Sequence, residues 1–188
     1  MKIDLPQRKR CKRYNVPGHA HELTFSCYHR QPFLKSHVAC EYLAQAIESN
    51  RTKHSFRLWA YVFMPEHVHL LIYPTEDDYS ISKILQAIKL SVSKKMIHYL
   101  KSQKTEALKY LQTDRKDKKY MFWQDGGGYD RNILRKNICR DVINYIHANP
   151  VRRGLVGKAC QWYYSSYNDW EGLGAGPVRI DMESFRKF

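Results

Sequence analysis

The sequence lacks the features that mark membrane-spanning, secreted and disulfide-bonded proteins. Its apolar runs are far shorter than the roughly 20 residues of a membrane helix, and the basic first residues lead into no apolar signal segment. The five cysteines are odd in number and widely spaced, and none forms a C-x-x-C pair, which argues against a disulfide framework and a thiolate zinc site. We therefore expect a cytoplasmic protein with no membrane partner.

Signatures of several common enzyme classes are also missing. The triple glycine at 126–128 does not fit G-x-G-x-x-G or G-x-x-x-x-G-K-[ST], so it indicates a loop rather than a nucleotide site. A Ser-His-Asp hydrolase is disfavoured because the chain has no G-x-S-x-G. The H-x-[ST] pairs of two-histidine phosphodiesterases do not match either H-x-H of this chain.

Acidic residues are few beside the basic ones. Lys plus Arg number 32 and Asp plus Glu 18, a formal net charge of +14. Such a surface attracts polyanions, and the 14 tyrosines and 4 tryptophans that accompany it are side chains on which bases stack. The charge favours a nucleic-acid partner; a merely soluble basic protein or contact with anionic membrane are the alternatives.

The order of predicted elements, β-α-β-β-α-(β)-α, indicates an α+β fold. We predict a ferredoxin-like antiparallel sheet with helices packed on one face. Its parts are a basic N-terminal arm at 1–18, a main domain at 19–170 and a C-terminal tail at 171–188. Predicted elements are a strand in 21–30, a helix from the N-cap Ser36 through 52, strands in 55–65 and 67–74 joined by a turn at Pro65-Glu66, a long helix over 80–103, and a helix over 137–149 that Pro150 stops.

Two histidines stand at the start of an apolar run in "MPEHVHLLIYP", residues 64–74. In a strand, His67 and His69 point to the same face, so their imidazoles can begin a metal site. Alone, the pattern fits two ordinary strand histidines better than a metal site. A second H-x-H, His19 and His21, has no partner helix, and we expect it to be structural.

The helix in "DVINYIHANP" supplies what a metal-dependent reaction further requires. Tyr145 and Asn149 are four residues apart and share a helix face. Asn149 offers an oxygen ligand and Tyr145 a phenolic nucleophile, and a His₂-Asn set leaves positions for a phosphate oxygen and water. Two imidazoles favour Mn²⁺, whereas cellular supply favours Mg²⁺. Taken separately, Tyr145 is better explained as a core aromatic and Asn149 as a helix end before proline. Tyr129 is a competing nucleophile.

The segments "MPEHVHLLI", "FWQ…YDRNI", "YIHANPVRRGLV" and "WYYSSY", in this order, resemble the HUH-type single-tyrosine transposases, most closely the REP-associated tyrosine transposases. The resemblance covers about residues 14 to 170. It implies a ferredoxin-like fold, metal ligands at His67, His69 and Asn149, and a nucleophile at Tyr145.

The resemblance further implies metal-dependent cleavage and rejoining of single-stranded DNA beside hairpins, in the bacterial cytoplasm or nucleoid, by a monomer or homodimer. The alternative is a non-catalytic or domesticated single-stranded nucleic-acid-binding protein. Phe122 and Trp123 are candidate stacking platforms, although buried core fits them better. Basic residues at two places are predicted to contact the DNA backbone: Arg8, Lys9, Arg10, Lys12, Arg13, Arg152 and Arg153.

Overall fold

The structure, a computed structural model, describes residues 13–126 and 128–188. Its strands are β1 (Ala20–Ser26), β2 (Phe56–Phe63), β3 (His67–Pro74) and β4 (Tyr129–Ile133). Its α-helices are α1 (His37–Lys53), α2 (Ile81–Ser102), α3 (Lys136–Arg152), α4 (Tyr167–Trp170) and α5 (Met182–Lys187), joined in part by short 3₁₀ turns. Across these described ranges, no helix combines the length and apolar composition needed to cross a bilayer.

The four strands form one antiparallel sheet in the order β2-β3-β1-β4. β2 and β3 pair as a hairpin whose turn holds Pro65 and Glu66, as predicted, because proline cannot donate to a strand ladder. Ser36 caps α1 by accepting a hydrogen bond from the Ala39 amide, also as predicted. The α+β, ferredoxin-like fold class is confirmed.

The helices cover both faces of this sheet, so the prediction that they pack on one face is wrong. α1 and α2 pack on the face that carries Leu23, Phe25 and Leu70. α3 packs on the other face, where its stripe of Val142, Ile143 and Ile146 meets apolar strand residues. β2 and β3 are buried on both sides, so a single layer of helices would leave apolar side chains in water.

α3 also continues through Pro150, where it was predicted to stop. The proline ring removes one amide donor, yet the helix continues for two more residues and ends at Arg152. The amides that follow still close the helix end: Arg153 N–H donates to the Asn149 carbonyl and Leu155 N–H to the Pro150 carbonyl. The helix therefore holds Asn149 in regular helical geometry.

The pairing of β1 with the chain before β4 changes register between Trp123 and Tyr129. β1 pairs Thr24 with Tyr129, and an isolated bridge pairs Cys27 with Trp123. The β1 side spans 27 − 24 = 3 residues and the other side 129 − 123 = 6, so three residues are extra there. Trp123 makes this bridge, and Phe122 and Trp123 are both buried in the core, the role that fitted them better in the sequence.

The C-terminal segment packs on the sheet. Phe185 is buried and contacts the Trp59 ring edge-to-face at 5.2 Å between centroids. The Leu58 amide donates to the Asp181 carboxylate at 2.9 Å. These contacts tie residues 181–185 to the same core that α3 covers, and the division at residue 170 stays a prediction.

Candidate active site

His67 and His69 lie side by side on the α3 face of β3. Their Nε2 atoms are 3.0 Å apart and their ring centroids 4.8 Å apart. The outer nitrogens are held by neighbours: His67 Nδ1 lies 3.0 Å from Glu66 Oε1, and His69 Nδ1 lies 2.9 Å from Thr24 Oγ1. Both rings are thus fixed with their Nε2 atoms converging.

The hydrogen-bond partners determine the tautomers of this pair. A carboxylate can only accept, so His67 Nδ1 carries the proton and donates to Glu66, which leaves Nε2 of His67 with a lone pair. His69 Nε2 lies 3.0 Å from that atom, so it carries the proton and donates to His67, and the Thr24 hydroxyl donates to His69 Nδ1. A metal ion on Nε2 would require the other tautomer, in which Nδ1 donates to the same hydroxyl.

Burial keeps both imidazoles uncharged. Desolvation, with a smaller contribution from His67, lowers the pKa of His69 to about 3. Desolvation also lowers the pKa of His67, although the Glu66 carboxylate opposes that shift. Neutral imidazoles are the form that binds a metal ion.

α3 brings Tyr145 and Asn149 to the same place. The Tyr145 ring stands edge-on to the His69 ring at 5.6 Å between centroids, and its side chain is exposed to solvent. Asn149 is buried one turn later and donates from Nδ2 to the Tyr145 carbonyl at 2.7 Å. His67, His69, Tyr145 and Asn149 line one surface groove, which we call the histidine groove.

Three arginines give the histidine groove a positive charge: Arg30, Arg152 and Arg153. The Arg152 guanidinium lies 5.1 Å from the centre of the Tyr145 ring. Arg153 Nη2 lies 3.1 Å from Glu66 Oε1, so it links the end of α3 to the carboxylate that orients His67. A phosphodiester, which is anionic, fits this environment.

The donor set suits a divalent cation. His67 and His69 would hold such an ion through their Nε2 atoms, which point at each other at 3.0 Å, and imidazole nitrogen is a common ligand of divalent metals. Within residues 13–126 and 128–188, no group of three His, Cys, Asp or Glu side chains could hold a metal. Further ligands would have to be the Asn149 oxygen, water or a phosphate oxygen.

Several predicted site residues lie elsewhere. Arg13 pairs through Nε with Asp130 at 3.1 Å and donates to Ser82 Oγ, so it is not brought to the histidine groove. His21 is buried between Asp130 and Tyr79, each 2.8 Å from one ring nitrogen, which agrees with a structural role for the second H-x-H. The remaining predicted DNA contacts lie outside the described residues: Arg8, Lys9, Arg10 and Lys12.

Two residues that position the histidines were missed by sequence reasoning. Glu66 stands directly before the H-x-H, and a carboxylate beside a histidine was a signal that could have been used. Thr24 reaches His69 only because β1 pairs Thr24 with His69, and nothing in the sequence shows that register.

Comparisons with known proteins show which family and which solved structures this chain is similar to. The family model described as "Transposase IS200 like" matches residues 15–149. A solved REP-associated tyrosine transposase bound to a REP hairpin is similar, with 21% identity, 90% of each chain covered and a TM-score of 0.64. A putative transposase from Deinococcus radiodurans R1 has 18% identity over 74% of this chain and 95% of that one, with a TM-score of 0.43. No curated protein matches the chain.

Proposed function

The chain belongs to the family of IS200-like transposases, and from that premise we propose that it cleaves and rejoins single-stranded DNA through a covalent bond to Tyr145. The observation that carries the proposal is the convergence of the exposed Tyr145 with the paired Nε2 atoms of His67 and His69. We assign His67, His69 and Asn149 as ligands of Mg²⁺ or Mn²⁺. When bound, the ion would polarise the scissile phosphate and offset the charge of the transition state.

The protein's own residues supply the nucleophile and its surroundings. The Tyr145 oxygen attacks phosphorus, the bond to the 3′ oxygen breaks, and the products are a 5′-phosphotyrosine and a free 3′-OH. The phenolic proton passes to solvent, to which Tyr145 is exposed, and the leaving oxygen takes up a proton. Arg152 beside the ring favours the negative charge that develops on the phenolic oxygen.

Rejoining is the same step reversed. The phosphotyrosine bond conserves the energy of the phosphodiester, so a 3′-OH of another strand can attack it and release Tyr145. We propose hairpin-containing DNA as the substrate, because the solved transposase of similar fold is bound to a REP hairpin. The positive histidine groove supports a polyanionic strand as the ligand.

The proposal is tested by incubating the protein with a pool of labelled single-stranded hairpin oligonucleotides and Mn²⁺. We expect a protein–DNA adduct that survives denaturing electrophoresis. Tyr145→Phe removes one oxygen and should abolish the adduct while DNA binding persists. Tyr129→Phe is the matched control and should keep it.

Peptide mapping of the DNA-linked residue identifies the nucleophile. A link on any residue other than Tyr145 would overturn the mechanism. Binding of hairpins without an adduct under any metal condition would instead favour the non-catalytic, domesticated alternative.

A further inference from the structure

A second groove shares His69 and Tyr145 with the histidine groove but continues toward β4 and the start of α3. We call it the Arg131 groove, after the arginine that it contains. Its other distinctive side chains are Glu22, Tyr129 and Asp141. None of these four is used in the proposed reaction.

Sheet register and helix spacing bring these side chains together. β1 pairs Thr24 with both His69 and Tyr129, so the three form one row across the sheet on a common face. The next row on that face contains Glu22 and Arg131. Asp141 lies four residues before Tyr145 on α3 and therefore on the same side of the helix.

The two grooves differ in charge. The histidine groove carries Arg30, Arg152 and Arg153, whereas the Arg131 groove holds two carboxylates, Glu22 and Asp141, against one guanidinium. A phosphate would be repelled by the carboxylates, but a group with both N–H donors and acceptors would satisfy them and the guanidinium together. In a DNA strand, that group is a base.

The Arg131 side chain is prepared for such recognition. Its Nε lies 3.0 Å from Glu22 Oε2, and the Glu22 side chain is only 9% exposed, so the ion pair fixes the guanidinium on the sheet. Guanidinium donors match the O6 and N7 acceptors on one edge of guanine, and a carboxylate can accept from its N1–H and N2–H. The Tyr129 ring is 48% exposed and offers a face for stacking.

We propose that the Arg131 groove binds a guanine base of the single strand, with Arg131 and Asp141 reading its two edges and Tyr129 stacking on it. The shared His69 and Tyr145 put this base next to the scissile phosphate. That placement rests on the proposed function, whereas the preference for guanine does not.

Binding of short single strands tests the proposal without requiring cleavage. The probes are a fluorescent oligo-dT and the same strand with one central dG, dA or dC. The wild-type chain should bind the dG strand about tenfold more tightly than the other three, the discrimination expected of one bidentate base contact. Arg131→Gln should abolish this preference and Asp141→Asn should weaken it.

Arg140→Gln is the matched control, because it removes an exposed arginine of α3 that does not line the groove, and it should keep the preference. Equal affinity for all four strands, or a guanine preference that survives Arg131→Gln, would overturn the proposal. If Arg131→Gln fails to fold, Asp141→Asn tests the proposal instead, because Asp141 is exposed. An unchanged guanine preference in Asp141→Asn would show that Asp141 does not bind the second edge of the base and would overturn the proposal.

The outcomes separate this proposal from the proposed function. A covalent adduct without guanine preference refutes the base site and leaves the chemistry standing. A guanine preference without any adduct supports the base site and counts against the covalent chemistry. Where both occur, cleavage mapped to a position with no neighbouring guanine would refute the placement beside the phosphate.

Discussion

Gly128→Ala should destabilise the protein and disturb the histidine pair together. Gly128 has φ +68, and a Cβ built on it would lie 1.9 Å from the Thr24 carbonyl oxygen. That oxygen belongs to the backbone of a central strand, so no side-chain rotation can relieve the clash. The strand itself would have to move, and Thr24 carries the hydroxyl that holds His69.

The expected loss in the free energy of unfolding has two parts, which the control variant Gly126→Ala separates. A non-glycine residue in the left-handed region costs about 1–2 kcal/mol. Forcing a methyl group into occupied space adds about 1–3 kcal/mol. Gly126 has φ +95 with nothing within 4 Å of a built Cβ, so Gly126→Ala meets the first cost alone. The difference between the two variants should be about 1–3 kcal/mol.

Urea denaturation of the two variants and the wild-type chain measures this difference directly. Adduct formation measured in parallel should fall further in Gly128→Ala than in Gly126→Ala, because only the first displaces Thr24 from His69. If both variants lose the same free energy of unfolding within about 0.5 kcal/mol, the close approach of Gly128 to β1 is refuted as the cause.

Three further outcomes are expected. His67→Ala with His69→Ala should abolish adduct formation and keep hairpin binding; cleavage that persists in the double variant or in chelator would contradict the metal assignment. Log affinity for single strands should fall steeply with log salt, and Arg152→Gln should lower that slope by about 0.7, whereas a flat dependence would contradict backbone contacts in the histidine groove. Burial lowers the pKa of His147 to about 4, below its unfolded value near 6.5. Between these pH values only the unfolded chain takes up a proton, so the free energy of unfolding should fall by about 3 kcal/mol as pH drops from 6.5 to 4. His147→Gln should remove this decrease from a pH series of denaturation curves.

Local patterns predicted much of this molecule because the physics behind them is local. Ser36 caps α1 through a bond that spans three residues, and the turn at Pro65 follows from a missing amide. The pairing of His67 with His69 needs only the two-residue period of a strand, and that of Tyr145 with Asn149 only the four-residue spacing of a helix.

The features that were missed depend on distant parts of the chain. Thr24 meets His69 through strand register, and Arg13 meets Asp130 across 117 residues of sequence. The cluster of basic residues predicted a DNA contact at Arg13, which stays a prediction; the local sequence could not show that Arg13 also pairs with Asp130. The continuation of α3 through Pro150 was missed for a different reason: the helix loses one amide donor there, but the amides of Arg153 and Leu155 still bond the carbonyls of Asn149 and Pro150, which a rule about proline alone does not include.

The position of Tyr145, the proposed nucleophile, is set by the apolar residues beside it. Val142, Ile143 and Ile146 are buried against the sheet, and Tyr145 lies between the last two in the chain. Burying each such side chain contributes about 1.5–3 kcal/mol, which fixes the rotation of the helix about its axis. With that rotation fixed, Tyr145 faces His69 even though its own side chain is exposed. The sheet face is apolar under most of α3 and polar at Thr24, His67 and His69. The apolar packing of α3 therefore holds Tyr145 opposite the histidine pair.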